Sequence, residues 1–298
     1  MRWLGLIALL PMFLVRPEGI AHGAMKVAVL DVGQGLAVVV RTAGHALLYD
    51  AGPRYSMQSD SGSRIVVPFL RGEGVRQLGG MVISHQDNDH AGGMESVLAQ
   101  IPTEWLASSL PENAIPAIAL KYTPCFAGQS WEWDGVRFEM RYPDKASYSE
   151  QVKDNDRSCV LHVSSQFGSL LLPGDIGRKA ERKLLAGQQD IAADVLVVPH
   201  HGSKTSSTIE FIEKVQPQIA IFTVGYHNRF GHPKDAVVER YQTMDSKLYR
   251  TDHAGAVLID YLDREKIIIN QWRSVARRYW HDLPQAGGGL LAEIQAAR

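Results

Sequence analysis

Ser84-His85-Gln86-Asp87-Asn88-Asp89-His90-Ala91-Gly92-Gly93 is the stretch on which the reading of this chain turns. It follows a short apolar run, Gly80-Met81-Val82-Ile83, which reads as a buried strand. After Gly92-Gly93, Met94 to Gln100 reads as a helix. His85, Asp87, Asp89 and His90 therefore lie on a loop leaving the end of a strand. Alternation along an extended loop lets His85, Asp87 and Asp89 share a face, and a turn at His90 adds a second imidazole. The plainer explanation is a solvated loop with a helix cap at Asp89, but a cap needs one such residue and not four.

Outward from this loop, polar residues recur at the ends of apolar runs. Asp50 follows Ala46-Leu47-Leu48-Tyr49, Asp175 closes Leu172-Pro173-Gly174-Asp175, and His200-His201 follow Val195 to Pro199. In layered α/β architectures strand ends and their loops form the ligand crevice, so residues far apart in sequence can converge. Asp50 before Ala51-Gly52 is also ordinary turn chemistry, and Asp175 is also a fair helix cap. Two adjacent imidazoles at a strand exit are less easily explained, and the full set predicts a metal site.

The spacing of the central loop resembles the His-x-His-x-Asp-His signature of the metallo-β-lactamase fold, with Asp87 in place of the second His. With Asp31-Val32-Gly33-Gln34-Gly35 ahead of it, it is similar to the C-terminal domain of the ComEC family, the DNA-uptake channel proteins of competent bacteria. The matching motifs run from about Val27 to Val257. The resemblance implies a four-layer αβ/βα sandwich; periodicity alone gives only α/β. It also implies two divalent ions. His85 and Asp87 would serve one, Asp89, His90 and His200 the other. Asp175 would bridge them, and Asp50 would anchor the loop from near or within the coordination shell. His200 is preferred over His201 as the ligand.

A lactamase-like site would carry a further His near Asp154 to Ser158, and none is present. Together with Asp87 this makes the site rich in oxygen, which favours manganese, with zinc able to bind. Gly202 to Ser207 suits a phosphate oxygen at a helix start, through Ser203, Lys204 and His201. A capping box from Ser207 to Glu210 would explain the same residues. Asn228-Arg229-Phe230-Gly231-His232-Pro233 also matches the family; Arg229 would grip a phosphate and His232 would protonate a leaving oxygen, the alternative being a surface loop with incidental charge. Asp89 and His232 are the expected catalytic residues. No Gly-x-Ser-x-Gly elbow appears.

Composition sets wide bounds. The chain has 298 residues, 45% hydrophobic, with a net charge of −1. That suits one large α/β domain and gives no global basic footprint for nucleic acid. Cys125 and Cys159 are too few for a disulfide framework; buried thiols are the expected state, one bridge the alternative. Residues 3–15 form an apolar run too short to cross a bilayer alone, a span needing roughly 20 residues. It reads as the end of a transmembrane helix or as a signal peptide. Either places the domain on the periplasmic or extracytoplasmic side of the inner membrane. The expected layout is a hydrophobic segment and linker over 1–24, the metallo-β-lactamase-like domain over 25–272, and a tail over 273–298.

The resemblance implies a phosphodiesterase that degrades the non-imported DNA strand, with single-stranded DNA and a membrane channel portion as partners. A non-catalytic DNA-binding or assembly module, and a metallohydrolase of small esters or lactones, are the alternatives.

Overall fold

The computed structural model describes residues 19–276 except 120, 151, 188, 264 and 265. The expected membrane or signal segment and most of the expected tail lie outside the described residues.

In chain order the strands are β1 (Met25–Val29), β2 (Val38–Arg41), β3 (Ala46–Tyr49), β4 (Arg54–Ser56), β5 (Ser59–Asp60), β6 (Gly80–Ile83), β7 (Leu106–Ser108), β8 (Tyr122–Pro124), β9 (Ser130–Trp133), β10 (Val136–Tyr142), β11 (Val160–Ser165), β12 (Gly168–Leu172), β13 (Val195–Val197), β14 (Ile219–Phe222), β15 (Lys247–Arg250), β16 (Val257–Tyr261) and β17 (Ile267–Gln271). They form an eight-stranded sheet, β17-β16-β1-β2-β3-β6-β7-β8, a seven-stranded sheet, β15-β14-β13-β12-β11-β10-β9, and the small β4–β5 hairpin.

Side-chain alternation explains the layers. In β10, Val136, Phe138, Met140 and Tyr142 are buried and the residues between them are less so, as period-two geometry requires. Central strands of both sheets, β3 and β6 in the first and β13 and β14 in the second, are buried throughout, so each sheet has two covered faces. Val27, Val38, Leu47 and Val82 meet Phe138, Leu161, Leu170 and Val195 between the sheets. Ala28, Val39, Leu48 and Met81 on the other face of the first sheet pack under Val67, Leu70, Met94 and Val97. Leu171, Leu196, Ala220 and Phe222 on the second sheet pack under Ala180, Leu184, Phe211, Ile212, Val237 and Tyr241. Three cores thus separate four layers, the αβ/βα sandwich. Among the described residues, no helix is long and apolar enough to cross a membrane.

Three local expectations are corrected. From the sequence, Pro102 to Leu106 reads as a strand, but the strand begins only at Leu106; ahead of it, Thr103 makes just an isolated bridge to Leu78. The helix that the sequence places over 207–215 begins at Ile209, capped by Thr208. Ser207 has a φ of 59°, a left-handed conformation that cannot open a helix. The buried carboxylate of Glu181 accepts from the backbone N–H groups of Ser207 and Thr208 at 2.5 and 3.0 Å, so no box with Glu210 is needed. Finally, Cys125 and Cys159 are joined in a disulfide rather than left as thiols, with their Cα atoms 6.0 Å apart. Cys125 follows β8 and Cys159 precedes β11, so the bridge links one sheet to the other.

A candidate metal centre at the strand ends

The parallel strands β3 and β6 end at Asp50 and at Ser84-His85, and the parallel strands β12, β13 and β14 end at Asp175, His200-His201 and Thr223. Both sheets thereby deliver their polar strand ends to one edge of the sandwich. Two overlapping groups result, His85, His90 and Asp175, and Asp89, His90 and His201. Within each, the donor atoms lie within 4.8 Å of one another.

The imidazoles are held from behind. His90 is fully buried and directs Nδ1 at Asp50 Oδ2, 2.8 Å away. Its Nε2 lies 3.1 Å from Asp175 Oδ1 and 3.3 Å from His201 Nε2. His201 Nδ1 donates to the Thr223 carbonyl at 2.8 Å, leaving Nε2 3.2 Å from Asp89 Oδ2. His85 Nδ1 lies 3.0 Å from Ser84 Oγ and 3.3 Å from Ser158 Oγ. Its Nε2 is buried with no hydrogen-bond partner, although Asp87 Oδ2 is 3.4 Å away.

Asp50 fixes the proton positions in this network. Its Oδ1 accepts from the Ser84 backbone N–H at 2.6 Å and its Oδ2 from Ser84 Oγ at 2.7 Å. Because Ser84 donates to the carboxylate, its oxygen accepts from His85 Nδ1. Both His85 and His90 thus carry a proton on Nδ1 and can offer Nε2 lone pairs inward. Imidazoles oriented in this way by outer hydrogen bonds, converging with carboxylates on one point, fit divalent metal binding. The orphaned buried Nε2 of His85 is the most direct sign, since a buried polar atom is normally paired.

Backbone strain gathers at the same place. Asp50, His200 and His201 have φ values of 56°, 53° and 54°, uncommon for residues other than glycine. Gly35, at φ 148°, runs against the central loop: a Cβ there would stand 2.5 Å from the Asp89 carbonyl. The sequence reads Gly33 and Gly35 as a plain turn or a close backbone approach to a ligand; at Gly35 the approach is to the central loop's own backbone.

Burial favours the neutral form of Asp89, but hydrogen bonding to His201 and the charge of His90 outweigh it and hold the carboxyl at about 2. Asp175 is likewise kept ionised against burial by His90 and His201. Burial opposes a charge on His90, yet Asp175 and Asp50 raise its proton affinity well above the usual range. The carboxylates likewise raise the proton affinity of His201 against its burial.

Several expected residues take different places. Asp50 is not in either ligand group; its carboxylate is spent on Ser84 and His90, so it positions ligands. His201, rather than His200, completes the second group. The consecutive left-handed residues turn His201 inward, to 2% exposure, while His200 Nε2 stays 3.7 Å from Asp175 Oδ2. Asp87 is half exposed at the mouth. Ser158 stands where a lactamase-like site would place a further imidazole, bonding both His85 and the Asp175 backbone N–H. His162 is elsewhere, with Nε2 on the Ala192 carbonyl. Ser203 is buried against Thr205, while Lys204 and Arg229 are exposed. The ring of His232 lies 6.2 Å from that of His200; burial, His201, His200 and Lys234 lower its proton affinity to about 4. Ser84, Ser158 and Thr223 were not singled out from the sequence. Only Ser84, adjoining His85, carried a local signal.

The model of the metallo-beta-lactamase superfamily matches residues 30–226. The chain is 38% identical over 270 residues to competence protein ComA of Neisseria gonorrhoeae, covering 90% of this chain and 37% of that protein. It is 34% identical over 250 residues to recombination protein 2 of Haemophilus influenzae, covering 84% of this chain and 30% of that protein. The chain thus spans about a third of the length of these relatives. Its fold is similar to that of the metallo-beta-lactamase fold protein YhfI from Bacillus subtilis, with a TM-score of 0.51 at 10% identity, covering 80% of this chain and 99% of that one. The matched region begins just after β1 and ends just after β14, taking in every strand end that feeds the cluster, and the chain belongs to the metallo-β-lactamase superfamily.

Proposed function

We propose that the chain is a metal-dependent phosphodiesterase acting on DNA, the hydrolytic part of a DNA-internalisation protein that degrades the strand not taken up. The observation that carries the reading is the pair of ligand groups sharing His90. The names competence protein and recombination protein, carried by two relatives, support DNA as the substrate.

His85 and Asp175, with Asp87 at the mouth, would hold one ion; Asp89, His90 and His201 would hold the other. Divalent ions bound there would supply Lewis acidity toward phosphoryl oxygens and a nucleophile from water at neutral pH. Three carboxylates beside the three imidazoles, and Ser158 in place of a further imidazole, favour manganese over zinc. Asp50 and Ser84 orient His85 and His90, while Thr223 orients His201. Lys204 and Arg229 are exposed cations available to a phosphate backbone. His232 is the proposed proton donor to the leaving oxygen; its proton affinity is lowered to about 4, so this role requires an anionic phosphodiester beside it to raise that affinity first.

The disulfide supports an extracytoplasmic site of action, since such bridges persist in oxidising compartments. The membrane channel portion of a ComEC-type protein is the proposed partner.

The test is cleavage of single-stranded DNA by the full chain with manganese. Asp89→Ala should abolish it; undiminished cleavage by that variant refutes the reading. Ser158 in place of an imidazole favours a second reading, a DNA-binding module. Metal-independent retention of DNA, with no cleavage under any divalent ion, would select it.

A further inference from the structure

A row of flat side chains leads from the cluster to solvent. The rings of His201 and His200 lie 6.4 Å apart, and those of His200 and His232 6.2 Å apart. His232 and Phe230 are 5.8 Å apart with their planes within 22° of parallel. The Arg229 guanidinium carbon sits 4.9 Å from the Phe230 ring centre.

The loop carrying the outer part of the row is latched. Asn228 Nδ2 donates to the carbonyls of Gly225 and His232 at 3.1 and 2.7 Å, and its Oδ1 accepts from the His232 N–H at 2.9 Å. Lys234 Nζ donates to the Phe230 carbonyl at 2.6 Å. Even so, Phe230 is 47% exposed and Tyr226, on the same loop, 64% exposed. Single exposed aromatics are common and mean little. Here a fixed loop aligns an aromatic ring, a cation and an imidazole with a polar centre. The His232 Nδ1 in that row is buried without a partner.

We propose that Phe230 and Arg229 form a stacking platform for an unpaired base of single-stranded nucleic acid, next to the phosphodiester at the cluster. The inference rests on the substrate class proposed above and deepens it. Every base has a π face that can stack on an aromatic ring or a guanidinium plane. In a duplex those faces are already covered by neighbouring pairs. The platform therefore selects single strands without reading their sequence.

The test uses the full chain with manganese, a single-stranded oligonucleotide, and an abasic oligonucleotide of equal length and charge. The base-bearing strand should have the lower KM, by about 5- to 150-fold, with little difference in kcat. Phe230→Ala should bring the two substrates toward parity, and Phe230→Trp should restore the difference. Equal KM values in the unaltered protein, or a preference that survives Phe230→Ala, overturns the proposal. Fluorescence anisotropy of the two oligonucleotides is measured in parallel. If neither is cleaved, the hydrolytic reading fails, and the binding preference still decides whether the platform exists.

Discussion

Asp50→Asn should weaken metal binding although Asp50 belongs to neither ligand group. An amide oxygen in place of Oδ1 can keep the 2.6 Å bond from the Ser84 backbone. The other position changes sign. In the present structure Oδ2 accepts from both Ser84 Oγ and His90 Nδ1, at 2.7 and 2.8 Å. An NH2 group there donates to both. His90 must then accept at Nδ1 and carry its proton on Nε2, the atom that faces the cluster. Ser84, now an acceptor from Asn, turns its own proton to His85 Nδ1, 3.0 Å away, and drives that ring to the same unfavourable tautomer. Losing one such outer partner costs about 10- to 100-fold in metal affinity. Two imidazoles turned at once place the expected loss near the upper end, about 2.8 kcal/mol. The lost charge also eases proton release from His90, which acts in the opposite direction. Calorimetric titration of manganese into metal-free protein is therefore run at several pH values, and the tautomer effect is what remains once proton competition has vanished. Circular dichroism checks the fold. A folded variant that binds manganese within about twofold of the unaltered protein throughout would refute the tautomer argument.

The disulfide closes a separation of 34 residues, so by chain entropy its reduction should cost up to about 4 kcal/mol, read as a lower denaturation midpoint under reductant; an unchanged midpoint contradicts this. Gly35→Ala sets a Cβ 2.5 Å from the Asp89 carbonyl and 2.9 Å from Pro53 Cδ in a backbone region suited to glycine. Urea unfolding should show a loss of about 1–3 kcal/mol, with metal affinity falling as the loop shifts. For metal-free protein, the depressed Asp89 and Asp175 contribute stability that is complete above the unfolded value of 3.8; the Asp89 part is lost as pH falls toward 2, and the Asp175 part as pH falls through its own depressed value. The raised His90 and His201 contribute stability that is complete below the unfolded value of 6.5 and is lost as pH rises through their folded values. From these groups, thermal stability should peak between the two unfolded values, and saturating manganese should extend the plateau upward; a metal-free curve still rising well above neutrality contradicts this.

Much of the fold is written locally. The apolar runs that became β3, β6, β12, β13 and β14 are recognisable because a strand buried on both faces leaves a continuous hydrophobic record. Asp134-Gly135 marked the β9–β10 hairpin for an equally local reason, with both residues at positive φ. The β4–β5 hairpin and β8 left no such record. They are short, and only their neighbours make them strands.

At the site, the sequence by itself supplied the candidates, because a loop crowded with imidazoles and carboxylates at a strand exit is legible from residue type and spacing. It could not say which candidate points inward. His201 faces the cluster because Thr223, 22 residues on, holds its Nδ1. Asp50 serves as an anchor because Ser84 and His90, 34 and 40 residues away, occupy its oxygens. Cys125 and Cys159 are joined because two different sheets bring them together. Each of these outcomes depends on direction and distance between segments that meet only on folding, and neither quantity is encoded at any single position.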